Sequence, residues 1–96
     1  MAQAETWNKA FDAGDDETFD ITFDQDITGW IVTFVLKASD IEKTITNHDN
    51  AAAGETSFTL SDTETEDLNG NYDYEMLYET DVGEDETFLK GRFTWI

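Results

Sequence analysis

Cysteine is absent from this chain, lysine and arginine together number five, and histidine occurs once. Without cysteine there is no disulfide framework and no thiolate metal site, and the redox compartment stays open. The single histidine, His48, lies between Asn47 and Asp49 in a polar cluster, and the serines are Ser39, Ser57 and Ser61. A hydrolytic triad needs a nucleophile held against its base, so His48 is read as a surface turn residue. Long apolar runs are missing too. The strongest, Trp30 to Leu36, is far too short to span a bilayer, and Met1 to Asp16 holds no basic segment followed by an apolar one. A soluble protein made in the cytoplasm is expected.

Acids are abundant: 23 Asp and Glu give a net charge of -18 on 96 residues. That balance argues against nucleic acid or an anionic membrane as a partner. Two explanations compete for it. In a host with molar internal salt the Debye length is about 3 Å, so like charges repel weakly and carboxylates keep the surface hydrated. Scarce lysine beside abundant Asp, Glu and Thr suits this halophilic reading. A DNA mimic would instead set its carboxylates in paired rows, whereas the acids here are spread over every loop and strand face.

The apolar mass sits in a few large side chains, three Trp, three Tyr and seven Phe, which suits the thin core of one two-layer domain spanning residues 1–96. Alternation dominates the pattern. Phe19, Ile21 and Phe23 face one way and Thr18, Asp20 and Thr22 the other, the signature of a half-buried strand. After Thr28-Gly29, both faces are apolar: Trp30, Val32, Phe34 and Leu36 on one, Ile31 and Val35 with Thr33 on the other. This predicts a central or covered strand. Trp7 to Phe11, Ile41 to Ile45 and Ser57 to Leu60 are shorter strands, and Ala51 to Gly54 is a loop. Ser61 and Glu64 stand at capping-box spacing, so a helical turn is predicted over 61–68. Last comes a hairpin, in which Tyr72, Tyr74, Met76 and Tyr78 meet Leu89, Gly91, Phe93 and Trp95 across the loop Thr80 to Glu86. About seven strands and one helical turn predict an all-β, immunoglobulin-like antiparallel β-sandwich. The run Asp67-Leu68-Asn69-Gly70-Asn71-Tyr72 reads as a tyrosine corner before a central strand. The tyrosine stripe could serve as a stacking platform for sugar or bases, but core packing is the plainer reading.

Two acidic tips echo one another, Asp12-Ala13-Gly14-Asp15-Asp16-Glu17 and Asp81-Val82-Gly83-Glu84-Asp85-Glu86. Asp12, Asp15, Asp16, Asp81 and Asp85 are therefore the candidate cation ligands. Neither tip matches the spacing of a calcium loop, solvated acidic tips are the plainer reading, and no metal or cofactor is expected. Paired carboxylates for glycoside chemistry are available among 23 acids. A sandwich this small nevertheless lacks material for a walled, dry cleft, so no enzymatic activity is expected. Ile31, Val35, Phe88 and Ile96 break the pattern as apolar side chains on outer faces, which marks an interface. Lys37, Lys43, Lys90 and Arg92 lie on the same strands and would orient a docked partner. The predicted interface is Ile31, Val35, Phe88, Arg92 and Ile96.

The order of these pieces resembles small immunoglobulin-like virion proteins of tailed viruses, similar to the N-terminal domain of phage upper baseplate proteins. The likeness is carried by Gly14-Asp15-Asp16 with Thr18 to Phe23, Val32 to Lys37, Lys43 to Thr46, Gly54 to Leu68, Gly70 to Met76 and Phe88 to Thr94. It rests on order and spacing over nearly the whole chain rather than on one motif. The resemblance implies a virion component that docks to other virion proteins in multiple symmetric copies or as a homo-oligomer, without nucleic acid or membrane. Since the chain stops at Ile96, a connector, collar, capsid-decoration or baseplate-rim role is expected rather than a receptor-binding head. The acid excess then points to a haloarchaeal tailed virus. An extracellular glycan- or protein-binding adhesion module of a halophile, and a DNA-mimic inhibitor, are the alternatives.

The halophilic reading has a direct check. The melting temperature should rise as salt goes from dilute to molar, because self-repulsion is then screened. A melting curve that does not move with salt would refute it.

Overall fold

Period-two alternation makes strands wherever one face can be buried. The computed structural model describes residues 5, 6 and 8–96, and in it eight strand segments follow one another: β1 (Glu5–Thr6), β2 (Lys9–Phe11), β3 (Glu17–Thr22), β4 (Ile31–Leu36), β5 (Glu42–Ile45), β6 (Glu55–Leu60), β7 (Gly70–Glu79) and β8 (Asp85–Trp95). A 3-10 turn at Ala51–Ala53 precedes β6, and one helical turn, α1 (Asp62–Thr65), follows it. The expected start of the first strand at Trp7 lies outside the described residues.

The larger sheet runs β1-β8-β7-β4-β5, with β2 also on β8, and the smaller sheet is β3 with β6. Glu5 faces Leu89 and Lys9 faces Phe93, so β1 and β2 keep one register on β8 and act as a single interrupted edge strand. Between them, Asn8 Oδ1 accepts the Arg92 N–H at 2.9 Å. Seven strands in two layers is the expected all-β sandwich. One pairing differs from the all-antiparallel expectation: β1 and β2 run parallel to β8. The chain leaves β2 through the tip at 12–16 and crosses to the other sheet, so the edge strand meets β8 rather than its neighbour in sequence.

α1 forms because its N-terminal donors are met. Ser61 Oγ accepts the Glu64 N–H, and the Glu64 carboxylate accepts the Ser61 N–H at 3.0 Å, completing the capping box read from the sequence. The tyrosine corner is present as well, with the Asn69 N–H donating to the Tyr72 hydroxyl at 3.3 Å.

The core holds one aromatic array and a smaller one above it. Phe93 of β8 stacks on Tyr74 of β7 at 3.9 Å and on Phe19 of β3 at 5.5 Å, and Phe19 stacks on Phe58 of β6 at 4.9 Å. Towards the β7–β8 turn, Trp30 stacks on Tyr78 at 4.8 Å, and Phe23 meets both edge-on. The tyrosine stripe therefore belongs to the core side, with Tyr74 1% exposed.

His48 is not a plain surface turn residue. It is half-buried, its Nε2 donates to the Trp30 carbonyl at 2.8 Å, and its Nδ1 lies 2.9 Å from the hydroxyl of buried Thr56. Trp30 leads into one sheet and Thr56 belongs to the other. Adjacent to this link, Gly54 closes the 3-10 turn at φ 79° and accepts the Phe23 N–H at 2.8 Å.

A Cβ at Gly54 would drive into the Phe23 carbonyl oxygen and lie 2.6 Å from that of Gln25. Gly54→Ala should cost at least about 2 kcal/mol, combining a clash with a left-handed φ. Gly14→Ala has the same sign of φ but open space around it, and should cost about 1 kcal/mol. Equal losses in the two chemical denaturation curves would contradict this account of the turn.

Candidate functional site

The outer face of the larger sheet is built from the residues that the core leaves pointing away. Registers place Val35 opposite Glu75 and Glu42, Glu75 opposite Lys90, and Asp73 opposite Arg92. One step towards the β7–β8 turn, Thr33 lies between Leu77 and Thr44, and Ile31 lies opposite Glu79. Ile31, Val35 and Leu77 are all half-buried. The upper part of this face is thus aliphatic and threonine-rich.

Below it the charge changes sign. Lys37, Lys90 and Arg92 line an open groove of about 790 Å³, in which Asp73 and Glu75 are the acidic side chains among the described residues; Lys9 borders it through β2, but its side chain lies on the core face, opposite Phe93 and with Nζ 5.7 Å from the centre of the Phe11 ring. Lys37 Nζ pairs with Glu75 at 2.9 Å and Arg92 Nε with Asp73 at 3.5 Å, both well exposed. Exposed pairs of this kind contribute only about 0.2–1 kcal/mol each. Fold stability therefore does not require the gathering. Three of the five cations in a chain of net charge -18 share one groove. Lys90 has no ion pair among the described residues.

The predicted interface residues divide into three groups. Ile31, Val35 and Arg92 share the outer face, as expected. Phe88 does not. Met76 pairs with Leu89 and Leu77 with Thr87, so Phe88 is the extra residue of a β-bulge. The bulge turns its ring to the core side, 5.0 Å from Phe23 and 5.9 Å from Tyr78. Strict alternation through β8 put it on the wrong face. Ile96 is 79% exposed at the end of β8, where its N–H donates to the Phe11 carbonyl. The same bulge brings Glu86 to Tyr78, whose hydroxyl donates to it at 2.6 Å and whose pKa is raised by that bond.

Lys43 leaves the expected cationic group. It pairs across to Glu64 of α1 at 2.7 Å.

The candidate cation ligands are not brought together. The tip bearing Asp12, Asp15 and Asp16 follows β2, while Asp81 and Asp85 belong to the β7–β8 turn at the opposite end. Asp16 Oδ1 accepts the Asp62 N–H at 2.6 Å, and the Asp15 carbonyl accepts the Thr65 hydroxyl at 3.0 Å. The first tip thus caps α1. Among the described residues no three acids or histidines are arranged to hold a metal ion, and no described helix is long and apolar enough to cross a membrane. No family model, no curated protein and no solved structure matches the chain.

The ionisation of Glu64 is tied to the fold. Its pKa is lowered by the hydrogen bond from Lys43 first and by the Ser61 N–H next. A depressed folded pKa contributes stability above the ordinary carboxylate range and loses it as pH falls through the folded value. Glu64→Gln should therefore cost about 1 kcal/mol at neutral pH, and the loss should shrink as pH falls below the ordinary carboxylate range. Denaturation at neutral and at strongly acid pH measures this, and a pH-independent loss would assign the effect to packing.

Proposed function

We propose that this chain is a non-enzymatic docking module, used as a structural component of a haloarchaeal tailed-virus particle. It binds other virion proteins through the outer face of the larger sheet. The observation that carries the docking role is the groove: a chain of net charge -18 places three of its five cations on one sheet face, beside the half-buried Ile31, Val35 and Leu77. Apolar side chains supply contact area, and a local reversal of charge fixes orientation and rejects misaligned partners. The virion setting is supported by the likeness in order and spacing to small immunoglobulin-like virion proteins, and the high-salt host by the acid excess. The aromatic core supports a binding role over catalysis, because it fills the space between the sheets.

Particles purified from the virus that encodes the chain provide the test. Quantitative mass spectrometry should find it at a fixed copy ratio to the major structural proteins, through successive density gradients. Recovery only from host cells or culture medium would overturn the virion role. Val35→Asp, which puts a carboxylate in the middle of the face, should lower incorporation at least tenfold while leaving the melting temperature within a few degrees.

A further inference from the structure

The row of side chains across the middle of the outer face is complementary to itself. We infer that a second copy of the chain covers this face, the two larger sheets packing against each other about a two-fold axis that runs along the strands between β4 and β7. This names the occupant of the docking face and rests on the reading that the face is one.

Strand pairing sets Glu42 of β5, Val35 of β4, Glu75 of β7 and Lys90 of β8 side by side, so the row has an exposed acid at one end and an exposed cation at the other. Glu75 is engaged by Lys37 at 2.9 Å, whereas Glu42 and Lys90 have no ion pair among the described residues. The next row towards the β7–β8 turn reads Thr44, Thr33, Leu77 and Thr87, with a threonine at each end. A two-fold axis between β4 and β7 lays β5 of one copy over β8 of the other. Glu42 then meets Lys90 twice, once from each copy. Thr33 meets Leu77, Thr44 meets Thr87, and Val35 lies along the methylene stem of Glu75. An isologous contact needs a patch of this kind, in which each residue finds its complement in the same patch.

Charge selects this face for contact between two copies. It sets Lys37, Lys90 and Arg92, three of the five cations, against Glu42, Asp73, Glu75, Glu79 and Asp85 out of 23 acids. Elsewhere the remaining acids stand against Lys43, which is paired with Glu64, and Lys9, which lies beside Phe11 on the core face. Two bodies of charge -18 therefore repel least when these two faces meet. A head-to-tail contact would need a second patch of comparable neutrality, and the distribution of cations supplies none. The half-buried Ile31, Val35 and Leu77 add apolar contact area, and two aligned sheets bring such side chains together at a spacing of about 10 Å.

Sedimentation equilibrium of the full chain in molar potassium chloride, up to about 1 mM, reads the outcome with long-range repulsion screened. The wild-type mass should rise to that of a dimer and no further, since a two-fold contact closes on itself. Glu42→Lys and Lys90→Glu each bring like charges together and should each weaken dimerisation at least about tenfold. The chain that carries both changes keeps the wild-type net charge and should dimerise again. Asp20→Lys, on the exposed face of the smaller sheet, changes the net charge as Glu42→Lys does and should not weaken the dimer. Near-UV circular dichroism confirms that each variant is folded. Lys90→Gln, which should also weaken the dimer, replaces Lys90→Glu if that one is not.

A wild-type chain that remains monomeric overturns the proposal. So does dimerisation that survives either single reversal, that the two changes together fail to restore, or that continues into larger species. A chain found in particles but monomeric in solution removes the two-fold contact alone. One that dimerises but is absent from particles removes the virion role alone.

Discussion

Two sheets of unequal size stay together here because Phe93 touches both. Its ring stacks on Tyr74 within the larger sheet and on Phe19 of the smaller one, while Phe11 meets it edge-on at 5.0 Å. Aromatic pairs contribute about 0.5–1.5 kcal/mol each beyond the area they bury. β3 and β6 pair only with each other, so the smaller sheet is held by side chains: these rings, Phe34 on Phe58 at 4.9 Å, and the His48 link from Trp30 to Thr56. Trp95, Phe34 and Phe58 extend the array, and the positions of Leu36, Leu60 and Met76 around it are fully buried. The core is thin, so large flat side chains fill it better than many small ones.

That packing leaves the outer face free to carry charge. Acids are spread over the rest of the surface of a chain of net charge -18 and repel one another. Against this background a groove with more cations than acids is a local feature of high contrast. Its own ion pairs are too exposed to stabilise the fold much.

Much of the architecture was legible in local pattern. The faces of β3, β4 and β7 followed from alternation, the capping box of α1 from the spacing of Ser61 and Glu64, and the tyrosine corner from the run into Tyr72. Each is set by residues within a few positions of one another. Phe88 was misread because a bulge shifts the parity of β8 at one point, and alternation has no means of announcing an inserted residue. His48 was misread because its partners, Trp30 and Thr56, lie 18 and 8 residues away. The groove was half legible. Lys37, Lys90 and Arg92 share the outer face, but Lys43 falls on the core side opposite Phe34 and pairs with Glu64.

The sequence by itself determined the two-layer β class, the sign of the surface and the side on which most side chains fall, since period and composition are local or additive properties. Only the tertiary structure decided which cations share a face. Lys9 reaches β8 across 84 positions through a parallel pairing that sets its side chain beside Phe11 on the core face, and Lys43, next to β4 in the same sheet, turns to α1. Pairing between strands distant along the chain is chosen by how the whole core closes around Phe93, and no window of the sequence contains that choice.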